Sequence, residues 1–272
     1  IQMKILLNNN DLNEALYNAS NLGFVPTMGG IHKGHISLIK RSLKECNKTI
    51  VSIFVNPTQF NNKNDYKRYP RNRRKDLSLL KKLKVDFVYL PTASEIYLRK
   101  RTTRIKLNKK DQILCAKYRK GHFEGVIDVM DRLTKLIKPK KIFMGEKDFQ
   151  QVFLVKKFLK KRYLSKIIDC KTIRNNNKLA LSSRNLLLKS NNLLKAGKLI
   201  QELIRLKKNI KKDDNINKIL MLKKKEFNKF YNVKIEYLEL RNIDSLKLSN
   251  KLKNSKIFIA FYLNKIRLID NI

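Results

Sequence analysis

The first two-thirds of the chain alternate between short apolar runs and segments of helical spacing. The apolar runs are rich in β-branched residues and end at turn residues, which is typical of buried strands. The predicted strands are 22–28, 49–55, 85–90 and 141–144, and the predicted helices are 36–46, 73–84, 125–137 and 149–159. Parallel strands need crossover connections, so this alternation indicates an α/β domain with a parallel sheet.

Beyond about residue 185 the pattern changes. Residues 186–230 are rich in Leu and Lys at helical spacing, and three strand-like stretches follow at 233–238, 255–261 and 265–269. Helices followed by a run of strands, without alternation, are typical of an α+β arrangement. We therefore predict a second, smaller α+β domain at the C-terminal end.

Composition narrows the class of protein. No apolar stretch approaches the ~18 residues that a membrane helix needs, and no membrane partner is expected. The first seven residues lack the charged-then-apolar layout of a secretory signal. The three cysteines are far apart in the sequence, which argues against a disulfide scaffold and against a zinc ribbon. A cytoplasmic location is therefore expected.

The net charge raises the question of nucleic acid. Lys and Arg number 63 against 22 Asp and Glu, a formal net charge of +41, and such an excess is typical of nucleic-acid binders. The basic residues are nevertheless spread along the whole chain, and Lys, Asn and Ile are abundant together while Trp is absent. That combination favours the codon bias of an AT-rich bacterial genome. A nucleic-acid partner is not expected, and an RNA-binding side role is kept as the alternative.

Glycine and histidine are scarce, and they cluster. The chain has 8 glycines and 3 histidines, and every histidine lies within two residues of a glycine. Glycine permits close approach of the backbone to a ligand, and histidine titrates near neutrality. The clusters at 29–35, 121–125 and 145–148 fall in predicted loops near the carboxyl ends of strands, where α/β sheets bind ligands. They indicate three loops of one site.

Segment 28–35 is the strongest single signal. Its glycine spacing is that of a phosphate loop, but His35-Ile36 replaces the Lys-Ser/Thr of a Walker A sequence. The form His-x-Gly-His comes at a predicted helix start, where backbone N–H groups can meet an anion and imidazoles can donate to phosphate oxygens. The alternative is a metal pair, yet a zinc-protease helix spaces its histidines four apart and adds a glutamate. We predict nucleotide binding.

Two more segments offer groups suited to phosphate. Lys147 follows Gly145 and supplies a point charge, and Gln151 lies one helical turn further on; the alternative is a solvated polar turn. Segment 181–185 supplies two hydroxyls and the guanidinium of Arg184. Its alternative is a helix N-cap followed by a surface arginine.

The remaining polar segments suit a small substrate. Asn56 and Gln59 place amides at the end of a predicted strand, where they can bind hydroxyl or carboxylate groups. Arg119 and His122 come just before a predicted helix, and their alternative is an ordinary surface loop. Each signal is weak by itself.

In combination and in this order, the segments resemble the pantothenate synthetases, the pantoate–β-alanine ligases of the nucleotidyltransferase superfamily. The matching stretches cover the first two-thirds of the chain, and the final third matches in size and texture alone. The matching stretches are 24–35, 51–60, 69–71, 121–126, 145–151 and 181–185.

The resemblance implies a Rossmann-like domain over residues 1–174 that binds ATP and pantoate, a small α+β domain over residues 175–272 that acts as a lid over ATP, and a homodimer. It implies ATP-dependent condensation of (R)-pantoate with β-alanine through a pantoyl adenylate, releasing AMP and diphosphate. Mg²⁺ would share the neutralisation of the leaving diphosphate. The competing interpretation is another adenylyl- or cytidylyl-transferase with the same loop. The paired Gln59 and Gln151, which suit a small hydroxy acid, would have no role in such an enzyme.

The resemblance also implies the site residues. Those that would bind ATP are Met28, Gly29, Gly30, Ile31, His32, Lys33, Gly34, His35, Gly145, Glu146, Lys147, Asp148, Ile173, Leu181, Ser182, Ser183 and Arg184. Three of them are the catalytic candidates: His32 as proton donor, His35 on the phosphates, and Lys147 against the charge that develops on phosphate. The substrate-binding candidates are Gln59, Gln151 and Arg119, and no metal ligand is assigned.

Two departures from the family pattern bear on the site. Asp128 replaces a usual threonine and is expected to add a carboxylate near the site. Asn177-Lys178 replaces an Asp-Gly turn before the serine motif, and lysine tolerates the left-handed conformation poorly, which puts the geometry of that turn in doubt. Gly30 and Lys33, which replace alanine and glutamate, are mild changes.

Overall fold

The computed structural model describes residues 2–98, 105–211 and 214–272. Two compact units divide the chain: Ile1–Glu146 with Gln151–Lys171, and Lys147–Gln150 with Thr172–Ile272. None of the helices in the described ranges is long and apolar enough to cross a membrane.

The first unit contains a parallel sheet. Within the described residues, strands β1 to β6 are Lys4–Leu6, Leu22–Thr27, Lys48–Ile53, Phe87–Tyr89, Lys141–Gly145 and Lys166–Cys170. Helices α1 to α8 are Asn9–Leu16, Lys33–Glu45, Lys63–Arg68, Arg73–Lys82, Ala93–Ile96, Leu114–Tyr118, His122–Ile137 and Phe149–Leu159. Short 3₁₀ turns lie at Pro57–Gln59, Lys109–Asp111 and Glu146–Asp148.

The direction of winding reverses in the middle of the sheet. The order is β1-β4-β3-β2-β5-β6, and every adjacent pair is parallel. From β2 the chain proceeds to β3 on one side, whereas from β5 it proceeds to β6 on the other. The direction of winding therefore reverses between β2 and β5, and ligands of such sheets bind beyond the carboxyl ends of the strands at this reversal.

Apolar side chains from strands and helices form the core of this unit. Val25, Val51, Val88 and Phe143 contribute from four strands, and all are fully buried. Their near-continuous apolar strands are what a parallel sheet covered by helices requires. The four predicted strands are confirmed, and β1 and β6 are two further strands, not predicted from the sequence, at the edges of the sheet.

The second unit combines two long helices with an antiparallel sheet. Helices α9 and α10 are Ser190–Asn209 and Ile216–Phe230, preceded by a 3₁₀ turn at Ser183–Leu187. Strands β7, β8 and β9 are Lys234–Asn242, Ser255–Leu263 and Ile266–Asn271, paired in the order β7-β8-β9. Leu199, Leu203, Phe227, Leu240 and Ile259 are among the fully buried residues of its core. The predicted fold class, α/β with a smaller α+β part, is confirmed.

Candidate active site

The loop between β2 and α2 is held by one buried carboxylate. Gly29 and Gly30 have φ of +81° and +62°, a region that glycine adopts without steric cost. The backbone N–H groups of Gly30 and Ile31 donate to the two oxygens of Asp76, at 2.9 and 2.8 Å. Asp76 lies on α4 and is 3% exposed. Its carboxylate thus sets the course of the predicted phosphate loop. Asp76 could not be predicted from the sequence, where it stands out just as an acidic residue after the strongly basic stretch 71–75.

The two histidines of the loop stand together at the start of α2. Their ring centroids are 4.0 Å apart. Nδ1 of His32 accepts from the N–H of Gly34 at 3.1 Å, and Nδ1 of His35 lies 3.4 Å from the N–H of His32. Because Nδ1 accepts in both rings, the proton of each neutral imidazole is on Nε2. The pair can therefore donate two hydrogen bonds to an anion. The N–H of Gly34, at the start of α2, is already bound by His32.

Gln59 lies in the 3₁₀ turn after β3 and is buried beside the same loop. The side-chain amide of Asn56, which is 1% exposed, donates to Oε1 of Gln59 at 3.3 Å and to the carbonyl of Gly125 at 3.2 Å. Nε2 of Gln59 approaches Sδ of Met28 at 2.9 Å. The structure therefore joins the predicted substrate amide to the first residue of the predicted ATP loop.

Arg119 reaches the same turn through a histidine. Nη1 of Arg119 is 2.8 Å from Nε2 of His122, and Nδ1 of His122 is 2.7 Å from the main-chain carbonyl of Gln59. His122 is 6% exposed and opens α7, so the surface-loop alternative does not hold for His122, although Lys120 and Gly121 just before it lie in an exposed turn. Gly125 allows the contact, since a Cβ there would lie 2.6 Å from the carbonyl oxygen of Thr58.

Gly145 is the last residue of β5, at the reversal of the sheet, and Glu146 follows it. Gly145 ends the strand that pairs with β2, and a Cβ added to it would meet nothing within 4 Å. The space beside this backbone is therefore open to a ligand. Gln151 lies in the first turn of α8 and is half-buried.

Lys147 and Asp148 belong to the second unit. Nζ of Lys147 is 3.2 Å from Oδ1 of Asp148, and the lysine side chain is 18% exposed. The carbonyl of Lys147 accepts from the side-chain amide of Asn271 on β9 at 3.0 Å. Phe149 packs edge-to-face on Phe258 of β8, with ring centroids 5.5 Å apart.

The serine motif and Ile173 meet through the backbone of the second unit. The N–H of Leu181 donates to the carbonyl of Ile173 at 3.0 Å. Ser182 caps the following 3₁₀ turn by accepting from the N–H of Arg184 at 3.3 Å, as the N-cap alternative predicted. Ser183 is 5% exposed.

The turn before this motif keeps a left-handed residue despite its sequence. Lys178 has a φ of +68°. Its N–H donates to the carbonyl of Asn175 at 3.0 Å, and its carbonyl accepts from Arg174 at 2.9 Å. Local hydrogen bonds therefore hold Lys178 in the left-handed conformation that the sequence puts in doubt.

The unexpected carboxylate of Asp128 is paired. Its Oδ1 accepts from Nε of Arg132 at 3.0 Å, one helical turn further along α7. The guanidinium of Arg132 also lies over the ring of Tyr97, 4.8 Å from its centroid. Asp128 therefore takes part in an ion pair that supports α7.

The first unit thus brings four predicted segments to the carboxyl edge of one sheet: the histidine loop, the turn of Gln59, Arg119, and the end of β5. A parallel sheet with a glycine loop and helix start at its winding reversal defines an α/β enzyme class that binds phosphorylated ligands. The family model for pantoate–β-alanine ligase matches residues 4–272. The chain belongs to the pantoate–β-alanine ligase family, and it is an ATP-dependent ligase that joins pantoate to β-alanine.

Individual relatives agree over nearly the whole chain. Pantothenate synthetase from Azobacteroides pseudotrichonymphae is 40% identical over 259 residues, covering 92% of this chain and 91% of that one. The crystal structure of pantothenate synthetase from Thermus thermophilus covers 99% of both chains at 30% identity, with a TM-score of 0.92. The ligase from Francisella tularensis, solved in complex with β-γ ATP and β-alanine, is 38% identical with a TM-score of 0.84, and the match covers 99% of this chain and 97% of that one.

Proposed function

We propose that the ligation proceeds through a pantoyl adenylate bound at the carboxyl edge of the parallel sheet. The carboxylate of (R)-pantoate attacks the α-phosphorus of ATP, and diphosphate leaves. The amine of β-alanine then attacks the acyl carbon, AMP leaves, and the amine loses a proton. The observation that carries this proposal is the pair of imidazoles at the start of α2, whose Nδ1 atoms are turned to the backbone.

Residues 28–35 bind the triphosphate in this proposal. The Nε2–H groups of His32 and His35 donate to phosphate oxygens, and the proton of His32 is available to the leaving diphosphate. Asp76 supports the arrangement because it holds the loop backbone before ATP arrives. Donors that are already in place avoid the cost of reorganisation during the reaction.

Gln59, Arg119 and Gln151 bind pantoate. Arg119 supplies a guanidinium suited to a carboxylate, and Nε2 of Gln59 supplies a donor to a hydroxyl or carboxylate oxygen. Because Oε1 of Gln59 accepts from Asn56, the amide is oriented with its N–H₂ group toward Met28. Gln59 also lies close to β-alanine in this assignment.

Lys147 neutralises the charge that develops on phosphate, and the other second-unit candidates, Asp148, Ile173 and residues 181–184, complete the ATP contacts. Mg²⁺ in such sites is bound by one or two carboxylates together with substrate phosphates. Asp148 fits this role, since its side chain is 44% exposed beside Lys147. Bound there, Mg²⁺ would supply further charge neutralisation. The described residues contain no cluster of three or more metal-ligating side chains.

Three further features remain proposals. We infer a domain boundary at residues 174 and 175, a homodimer, and a cytoplasmic location. Light scattering coupled to gel filtration tests the dimer, since a monomer of 32.2 kDa would double in mass.

The decisive experiment for the proposed chemistry is product release with single omissions. AMP release from ATP is expected to need both pantoate and β-alanine, and exchange of radiolabelled diphosphate into ATP is expected with pantoate alone. Exchange that needs β-alanine would contradict the adenylate intermediate. Absence of AMP release from folded, ATP-binding protein would contradict the assignment of the residues.

A further inference from the structure

His122 is a buried side chain that the proposed mechanism does not use. It is the first residue of α7, it is 6% exposed, and its ring packs 4.8 Å from the ring of Phe123, centroid to centroid. Gly121 before it has a φ of +79°, which lets the chain turn sharply into the helix. A buried imidazole held by polar partners on two sides has its orientation determined by those partners.

The two partners determine which nitrogen carries the proton. The main-chain carbonyl of Gln59 can only accept, so Nδ1 of His122, 2.7 Å away, carries a hydrogen. The guanidinium of Arg119 can only donate, so Nε2 of His122, 2.8 Å from Nη1, has a lone pair. His122 is therefore the neutral Nδ1–H tautomer. In this form it connects Arg119 to a residue that lies 60 positions earlier in the sequence.

We propose that His122 is a positioning residue that aligns Arg119 and Gln59 for pantoate. The imidazole accepts from one N–H of the guanidinium and so fixes the plane of the remaining donors of Arg119. Its Nδ1–H anchors the backbone of Gln59, whose side-chain amide is oriented from the other side by Asn56. This inference rests on the proposed pantoate role of Arg119 and Gln59. It adds that their relative position is set by one ring and not by either residue alone.

The consequence is a selective effect on one substrate. Loss of the ring should loosen Arg119 and Gln59 together, while the Asp76–Gly30 contact that holds the ATP loop is made elsewhere. Hydrogen bonds to charged groups have a net contribution that corresponds to about tenfold or more in a binding constant. We therefore expect His122→Asn, which retains a donor near the Nδ1 position and removes the acceptor for Arg119, to raise the pantoate KM about tenfold. The KM for ATP should change by less than about twofold.

His122→Gln is the rescue variant. Its amide oxygen can reach the position of Nε2 and accept from Arg119, whereas the Nδ1–H donor to Gln59 is not replaced, so the pantoate KM should return part of the way to the wild-type value. Tyr163→Phe is the matched control, because the Tyr163 hydroxyl donates to Asp131 on the same helix at 2.9 Å. That variant loses a partly buried hydrogen bond to α7 and should lower thermal stability without changing the pantoate KM.

The experiment compares initial rates for these variants, Arg119→Ala and the double variant Arg119→Ala/His122→Asn. If His122 acts through Arg119, the double variant has the pantoate KM of Arg119→Ala. Equal rises in the KM for ATP and pantoate, or identical behaviour of His122→Asn and His122→Gln, would overturn the inference. An unchanged pantoate KM in Arg119→Ala would instead count against the proposed pantoate site, so the two failures are distinguishable.

Discussion

The side-chain amide of Asn271 donates to the main-chain carbonyl of Lys147 at 3.0 Å, across 124 residues of sequence. The other end of the same amide accepts from Nζ of Lys256 at 3.0 Å, and Asn271 is 4% exposed. The last strand of the chain therefore holds the backbone of the lysine proposed to neutralise phosphate. Next to it, Asp270 forms a bidentate ion pair with Arg174, at 2.6 and 2.8 Å.

Asn271→Asp should keep one of these two side-chain hydrogen bonds and remove the other. Aspartate can still accept from Lys256, but it loses the donor to Lys147. A net hydrogen-bond contribution corresponds to about three- to tenfold in rate if the bond is needed in the transition state. We expect diphosphate exchange to slow by about fivefold with little change in pantoate KM. Asn264→Asp, at the exposed hairpin tip of the same sheet, is the control. Equal exchange rates in both variants would argue against a role for the contact.

Lys147→Ala should affect chemistry far more than folding. The lysine side chain is mostly shielded, but its 3.2 Å ion pair is with the half-exposed carboxylate of Asp148, and ion pairs that solvent reaches contribute only about 0–1 kcal/mol to stability. Loss of a donor to developing charge typically costs about 10²–10³ in kcat. We expect that loss in single-turnover adenylate formation, with the urea midpoint unchanged. Lys160→Ala, at an exposed lysine, is the control. Wild-type turnover in Lys147→Ala would refute the assignment.

Asp76→Asn should weaken the ATP loop. The oxygen of the substituted amide can accept from one of the two N–H groups of Gly30 and Ile31. The NH₂ group of the amide then faces the second N–H group and cannot accept from it. Loss of one charge-assisted hydrogen bond costs about 2 kcal/mol, so the free energy of unfolding should fall by that amount and the ATP KM should rise. Chemical denaturation and initial rates measure both. Glu14→Gln, which removes one exposed negative charge, should do neither.

Lys178→Gly should stabilise the protein. The left-handed conformation costs a non-glycine residue about 1–2 kcal/mol, and the added freedom of glycine in the unfolded chain offsets about 0.5–1 kcal/mol of that gain. The expected net increase in unfolding free energy is about 0.5 kcal/mol. Lys178→Ala removes the same side chain but retains the strain at φ of +68°, and it should give no increase. A larger stabilisation in the alanine variant would show that the side chain, and not the backbone, is unfavourable here.

Tyr97 should make stability fall at alkaline pH. Its hydroxyl donates to Oδ1 of Asn56 at 2.7 Å, and burial raises the pKa of this phenol above its usual 10. A pKa that is higher in the folded state contributes stability below about pH 10, and that contribution is lost as pH rises above it. Burial also raises the pKa of Tyr231, to about 12, so part of the decline is shared. The difference between the urea midpoints at pH 8 and pH 10.5 should therefore be smaller in Tyr97→Phe than in Tyr17→Phe. Tyr17→Phe is the control, because the ring of Tyr17 is 87% exposed.

The strands of the parallel sheet could be predicted where burial makes them long and apolar. β2, β3 and β5 have that character, and their predicted positions agree with the structure to within about two residues. β1 has three residues, and β6 is half-exposed along most of its length. Both lie at the sheet edges, where less of the strand is covered and the apolar signal is correspondingly weak.

The start of α7, the helix that carries His122, differs between the prediction and the structure for another reason. Periodicity placed its start at Gly125, whereas α7 begins at His122. The clustering of scarce glycine and histidine at 121–125 predicts a loop there instead. In the structure His122 and Phe123 are buried, and His122 contacts the turn of Gln59, so contacts with another segment decide that this turn is helical and enclosed.

The sequence by itself determined the alternation of strands and helices, the loops that hold the scarce glycines and histidines, and the family. These are local properties: periodicity, backbone freedom and residue order can be read within one segment. The tertiary structure alone decided that Asp76 shapes the histidine loop, that His122 joins Arg119 to Gln59, and that Asn271 holds Lys147. Each of these contacts joins segments that are about 45 to 124 residues apart, and a hydrogen-bond partner at that distance is chosen by packing of the elements and not by neighbours in the sequence.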